Sequence, residues 1–176
     1  MKVLRLLMSL CPVLLTLLVE PAQAVDFYLK VDGIDGDVSV PGINNGSAAL
    51  GFSLGHNLST SSGGGTGRAV FENVAVQKLV DKSSPLLALH GADGLSIRNV
   101  SVIGLGSDGR TAVYRVNLTG ATITSVQVGG ATGSVPSESV SFTFERIEWI
   151  YTPQKPDGSF GPPVRAGWDR INNVAF

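Results

Sequence analysis

The segment Gly51-Phe52-Ser53-Leu54-Gly55 matches the G-x-S-x-G pattern that carries the nucleophilic serine of many hydrolases. That chemistry needs a strand, a sharp turn and a following helix, so that the serine is exposed above a parallel sheet. Polar residues and a glycine tract follow here, with no run that favours a helix. A triad of Ser53, Asp81 and His90 can be written down, but no spacing supports its geometry. We therefore predict no catalytic residues and a protein that is not an enzyme.

Residues that commonly bind metals or phosphates are also sparse. The only histidines are His56 and His90, so a zinc site would have to recruit carboxylates from scattered loops. The acidic turn at residues 32–37 departs from the calcium-loop pattern, and Ile43 stands where that loop carries a glutamate. The glycine-rich run at 63–67 lacks the Gly-Lys-Ser/Thr ending of a phosphate loop. The sequence thus predicts no metal site and no cofactor.

The first 24 residues have the pattern of an export signal. Lys2 and Arg5 precede an almost wholly apolar run at residues 6–19, and Ala22-Gln23-Ala24 is an A-x-A cleavage site. That run is shorter than the roughly 20 residues of a membrane span. We predict a cleaved signal peptide at 1–24, a single domain at 25–176, a periplasmic or extracellular location and no stable membrane insertion after cleavage. An unprocessed signal anchor is the alternative.

Cleavage would change both the thiol content and the charge of the chain. It removes Cys11, the only cysteine, so the mature chain could form no disulfide. It leaves 11 of the 13 Lys and Arg residues and 13 of the 14 Asp and Glu residues, for a net charge of −2. That near-neutral balance indicates no nucleic-acid partner.

The remaining chain is dominated by strand patterns. Val25, Phe27, Leu29 and Val31 alternate with polar residues, which is typical of a strand with one apolar face. Further strands are predicted within residues 48–58, 68–78, 95–103, 111–118, 121–128 and 138–151. One helix is predicted from residue 84, with Ser84 as its N-cap, Pro85 at its first position and Gly91 as its stop.

The run at 138–151 is apolar on both parities. Phe142 and Phe144 share one parity, whereas Ile147 and Trp149 share the other. A bulge near residues 145–146, or a strand passing from one side of a closed sheet to the other, would produce that change. Both faces being apolar suits a small barrel whose outer wall is covered by the helix or by a neighbouring subunit. Strand twist with tolerated surface valines is the alternative.

Several stretches resemble the Hcp (haemolysin-coregulated) family, which forms the inner tube of bacterial type VI secretion systems. VDFYLKVDGIDG at residues 25–36 is similar to the opening strand and turn of that family, although Asp37 follows where a glutamate is usual. KLVDKSSPLL at 78–87 is similar to the segment that enters its helix, and residues 151–169 resemble its tail. The motif residues are Asp32, Gly33, Gly36, Asp81, Lys82, Pro85, Pro153, Gln154, Asp157, Gly158, Gly167, Trp168 and Asp169.

The resemblance implies a mainly β fold, a small antiparallel β-barrel of two curved sheets with one short flanking α-helix. It also implies homohexameric rings that stack into a tube, partners among secretion-system components or cargo effectors, and no active site. Because of the signal peptide, two functions stay open: a type VI tube subunit or secreted effector, and an exported module that keeps the fold without the machine. A secreted hydrolase using Ser53 is a third. Residues 39–45, the glycine-rich loop and the tail after Pro153 are the candidate ring contacts.

Overall fold

The computed structural model describes residues 25–60 and 66–176. The predicted signal peptide and part of the glycine-rich loop lie outside the described residues. Within these residues, one helix, α1, and twelve strands follow one another. Their bounds are β1 Asp26–Val31, β2 Val38–Val40, β3 Ile43–Ser53, β4 His56–Thr60, β5 Thr66–Phe71, β6 Val74–Leu79, α1 Ser84–Asp93, β7 Ser96–Leu105, β8 Ala112–Gly129, β9 Ser137–Thr143, β10 Arg146–Tyr151, β11 Val164–Asp169 and β12 Val174–Ala175.

Six antiparallel strands close into a barrel in the order β8-β7-β1-β3-β6-β9, with β9 pairing back to β8. Alternate side chains of each strand point inward, as their period of two requires. Leu29, Val76, Val100, Leu118 and Phe142 are among the side chains buried in this core. The predicted class, a small antiparallel β-barrel with one short helix, is confirmed.

Strand β8 belongs to two sheet regions. Its first half pairs with β10 and its second half with β9. The change occurs near Gly120, whose φ of +62° is readily adopted only by glycine. The two strands predicted at 111–118 and 121–128 are therefore one continuous strand.

The change of parity at 138–151 has a related cause. The run is divided into β9, which closes the barrel, and β10, which pairs with the other half of β8. Phe142 and Ile147 nevertheless both join the main core. The apolar outer wall near Ile103 and Leu105 is covered by the chain itself, since Val40 of β2 packs there.

Two helix-boundary predictions are wrong. The helix runs through Gly91 and ends at Gly94, which has a φ of +68°. Gly91 lies against Ile123 and Val126 of β8, so its missing side chain allows close packing rather than ending the helix. The helix begins at Ser84, so the N-cap residue is Ser83 and not Ser84, and the Ser83 side chain forms no capping hydrogen bond.

The strands predicted at 48–58 and 68–78 are each divided. Their inner parts, β4 and β5, pair only with each other among the described strands and leave the barrel as a hairpin. Phe71 attaches this hairpin to the body by packing against Phe144 and Trp149. The tail after Pro153, for which no strand was predicted, contains β11 and β12, which extend the sheet beyond β10.

Candidate assembly surfaces and the motif residues beneath them

The G-x-S-x-G segment does not form a nucleophile elbow. Ser53 is the last residue of β3, and the next element is the strand β4 rather than a helix. The buried Nδ1 atom of His90 has no hydrogen-bond partner among the described residues. Asp81 binds Lys78 and Ser83 instead. The three residues of the conceivable triad are therefore not joined by hydrogen bonds.

A buried ion cluster lies where the barrel meets the start of the helix. The Nζ atom of Lys78 lies 2.7 Å from Asp81 Oδ1 and 2.7 Å from Glu138 Oε1. The side chains of Lys78 and Glu138 are both 0% exposed. Because isolated charges are very unfavourable in a protein interior, the ammonium group requires these two carboxylates beside it.

Ser84 completes the cluster. Its hydroxyl donates to Glu138 Oε1 at 2.8 Å and accepts from Lys78 Nζ at 3.3 Å. These hydrogen bonds join the first turn of α1 to β6 and β9 of the barrel.

Asp81 holds the turn before the helix. It accepts hydrogen bonds from Lys78 Nζ at 2.7 Å and from the Ser83 amide at 2.9 Å. Burial pushes the pKa of Asp81 upward, but the hydrogen bonds from Lys78 and Ser83 outweigh that effect and hold the pKa below its ordinary value. Lys82 contributes its backbone amide, which donates to Asp37 at 3.4 Å, and Pro85 lies in the first turn of α1.

The opening motif sets a tight turn after β1. The Asp32 carboxylate accepts a hydrogen bond from the side-chain amide of Asn99 at 2.7 Å, which joins the turn to β7. Gly33 has a φ of +78°, a conformation that glycine adopts without strain. Gly36 packs directly on the backbone of Gly46, where a side chain would overlap the Gly46 carbonyl.

The tail motif builds a compact loop between β10 and β11. Asp157 accepts hydrogen bonds from the Ser159 amide at 2.9 Å and from its hydroxyl at 2.7 Å, around Gly158 with its φ of +83°. The Gln154 side chain donates to the Gly158 carbonyl at 3.2 Å. The Gly161 backbone amide donates to the Pro153 carbonyl at 2.8 Å, and this bond joins the two ends of the loop.

The last motif joins the sheet edge to the core. Trp168 packs against the main core, and Gly167 lies under the Phe176 ring, which would have to move if Gly167 carried a side chain. Asp169 accepts from the Asn172 amide at 2.8 Å and lies 3.7 Å from Arg146 Nε. The motif residues thus set turns and packing in separate regions, and they do not converge on one site.

The pairing of Lys78 with Glu138 was not predicted from the sequence. The burial of Lys78 could have been predicted, because Val74, Val76 and Lys78 occupy alternate positions of β6 and so share its inward face. A charge at an inward position predicts a buried partner. Its partner on β9 lies far away in the sequence, so the pairing could not be read from one strand.

Several large apolar side chains remain exposed outside the core. They lie on the hairpin, on the outer side of α1 and at the C-terminal edge of the sheet. Leu58 and Val70, on the hairpin, are 53% and 56% exposed. The others in these three regions are Leu86, Leu89, Val164, Ile171, Val174 and Phe176. Leu58 and Val70 lie on opposite faces of the hairpin, because Leu58 pairs with Ala69 and Val70 pairs with Asn57. Contiguous exposed apolar patches are typical of surfaces that contact another protein.

The sequence model of one protein family matches residues 28–151, and that family is described as "Type VI secretion system effector, Hcp". The matched region includes the barrel strands apart from the first two residues of β1, together with α1 and the buried ion cluster. The chain belongs to the Hcp family. The predicted family is therefore confirmed. No curated protein matches the sequence significantly.

Solved structures have the same fold. A protein described as a type six secretion system protein superposes with a TM-score of 0.80 at 28% identity, over 87% of this chain and all of its own (100%). Hcp1 from Salmonella typhimurium matches with a TM-score of 0.73 at 22% identity, over 87% of this chain and 99% of its own. A type VI secretion system effector from Yersinia pestis matches with a TM-score of 0.65 at 23% identity, over 82% and 99%.

Two further observations concern the described part of this Hcp protein. Within residues 25–60 and 66–176, no group of three or more His, Cys, Asp or Glu side chains is arranged to hold a metal ion. The single described helix is too short to cross a membrane.

Proposed function

We propose that this protein is a ring-forming, non-catalytic subunit of a type VI secretion system, acting as a tube component or as a secreted effector or carrier. The family match over residues 28–151, which covers the barrel apart from the first two residues of β1, carries this conclusion. The relative at 28% identity, described as a type six secretion system protein, supports it.

The exposed apolar side chains support self-association. In a closed ring each subunit uses two different surfaces, one to contact each neighbour. Burying apolar area contributes about 25 cal/mol per Å², and removing the hairpin and helix side chains from water would favour assembly. Leu58 is the clearest contact candidate, because it lies on the same face of the hairpin as Phe71. Phe71 packs against the barrel, and Leu58 extends this apolar face.

Light scattering coupled to size exclusion, followed by negative-stain microscopy, tests the ring. We expect a particle about six times the mass of one chain and ring-shaped images with a central opening. A monomer at every concentration up to the millimolar range would contradict the proposal. Neighbouring genes for sheath and baseplate proteins would link the ring to a secretion machine. The family match does not favour the alternative of a module without that machine.

We also propose that residues 1–24 export the protein to the periplasm or beyond. The A-x-A site at 22–24 lies just before Val25, and β1 begins at Asp26, so cleavage would leave the domain intact. Cell fractionation with mass spectrometry of the mature N-terminus tests this proposal. A charged substitution in the apolar run, Leu14→Arg, should retain the protein in the cytoplasm. Uncleaved wild-type protein in cytoplasmic rings would overturn it.

A further inference from the structure

A cleft of about 450 Å³ lies between the hairpin, the end of β9 and the turn that follows β11. Arg68 from β5 and Arg170 from that turn line it together. Phe71, Phe144 and Ile171 supply apolar walls. None of these residues takes part in the ion cluster beneath α1.

Arg170 is held in place by the barrel. Its Nη1 atom donates to the Phe144 carbonyl at 2.6 Å and to Thr143 Oγ1 at 3.1 Å. Its guanidinium carbon lies 4.7 Å from the centroid of the Phe144 ring, within the range of a cation–π interaction. The charged group is therefore oriented before any ligand arrives.

Arg68 reaches the same turn from the hairpin. Its Nη2 atom donates to the Arg170 carbonyl and, at 3.4 Å, to the Ile171 carbonyl. A guanidinium group has five N–H donors. The observed bonds use one terminal nitrogen of each arginine, so the Nε and second terminal nitrogen of each have no acceptor among the described residues.

The two charges are not neutralised within the described chain. Neither arginine forms an ion pair with a carboxylate of residues 25–60 or 66–176. Burial lowers the pKa of Arg170, and the nearby charge of Arg68 lowers it further. An anion between the two guanidinium groups would relieve their repulsion and use their remaining donors.

The apolar rim narrows the class of anion. Val70 and Ile171, which flank the arginines, are 56% and 64% exposed. Inorganic phosphate would leave these side chains uncovered, whereas a carboxylate joined to an apolar group would cover them and match the guanidinium forks. We propose that this cleft binds a carboxylate carried on an apolar or aromatic group, with Arg68 and Arg170 holding the carboxylate.

Calorimetric titration of the purified protein with 3-phenylpropionate tests the site. Acetate is the probe without an apolar group, and 3-phenylpropanol is the probe without a charge. We expect saturable binding of 3-phenylpropionate, and affinities at least about tenfold weaker for both other probes. Arg170→Gln should weaken 3-phenylpropionate binding about tenfold or more. Arg98→Gln, which changes an exposed arginine of β7, is the matched control and should leave it unchanged.

Because Arg170→Gln also removes contacts with β9, a second variant keeps the test independent of folding. Ile171→Ser changes an exposed rim residue and should weaken 3-phenylpropionate binding while leaving acetate binding unaffected. Equal binding by wild type and Arg170→Gln, or equal binding of 3-phenylpropanol and 3-phenylpropionate, would overturn the proposal.

The source of the carboxylate follows from the assembly state. If a neighbouring subunit supplies it, the probe should bind dissociated chains and be excluded from assembled rings. If a free ligand supplies it, both forms should bind the probe equally. The site does not depend on ring formation, so a protein that stays monomeric but binds the probe would contradict only the proposed function.

Discussion

The substitution Lys78→Met tests whether the buried ion cluster maintains the fold. Lys78 is wholly buried, and its ammonium group contacts two carboxylates at 2.7 Å, one of them also wholly buried. Methionine has a similar length and fills the space, so the main effect is that Asp81 and Glu138 lose their counter-charge. Removing one partner of a buried ion pair typically costs about 3–5 kcal/mol. We expect a loss of that size in the free energy of unfolding.

Urea unfolding at fixed protein concentration, followed by the fluorescence of Trp149 and Trp168, measures the change. Arg98→Met is the control, because Arg98 is exposed and forms no ion pair among the described residues, and it should change stability by less than about 0.5 kcal/mol.

The double variant Lys78→Met with Glu138→Leu isolates the interaction itself. Once both charges are gone, neither is left uncompensated, so the double variant should lose clearly less stability than the two single variants summed. A loss below about 1 kcal/mol for Lys78→Met, or additive effects in the double variant, would refute the reasoning, because either result would mean that the cluster is solvated or loosely held.

Three further predictions address other parts of the structure. The pKa of Asp81 is held below its ordinary value of 3.8, so its stabilising effect should be present above about pH 4 and disappear as the pH falls below that value. Urea unfolding midpoints measured across this pH range should show the loss of this contribution in wild type but not in Asp81→Asn. Gly36→Ala should destabilise the fold by about 1–3 kcal/mol in thermal unfolding, since its new methyl group would overlap a backbone carbonyl, whereas Gly129→Ala, with open space around it, should not. Leu58→Asp should reduce the ring population in light scattering, whereas Asn57→Asp, on the opposite face of β4, should not. Equal assembly of the two variants would mean that the hairpin is not part of the ring interface.

Local patterns in the sequence predicted most of the strands. Alternation in β1 and β6 survives in the structure because each strand has one face against the core. The helix boundaries failed for a tertiary reason: Gly91 looked like a stop, but it lies where α1 packs closely on β8. Likewise, the residues around Gly120 looked like a turn between two strands, whereas pairing on both sides keeps β8 continuous.

The motif residues were chosen from the sequence, but their structural roles required coordinates. Gly36 is needed because the backbone of Gly46 lies against it, whereas Gly167 lies next to the Phe176 ring. Both contacts depend on how the chain turns back on itself, which a strand pattern does not specify. The division of residues 48–78 into barrel and hairpin was missed for the same reason, since each half has a strand pattern and only pairing partners distinguish them.

From the order of its residues alone, this chain could be recognised as a β-protein with one helix and an Hcp resemblance, because alternation, turn glycines and helix-entry motifs are local properties. The tertiary structure decided which charges meet. Lys78 contacts Glu138 only because β6 pairs with β9. Arg68 contacts Arg170, which is 102 positions away in the sequence, only because the hairpin folds over the C-terminal turn. A buried charge is stable only beside groups that compensate it in space, and that arrangement is a property of strand pairing rather than of residue order.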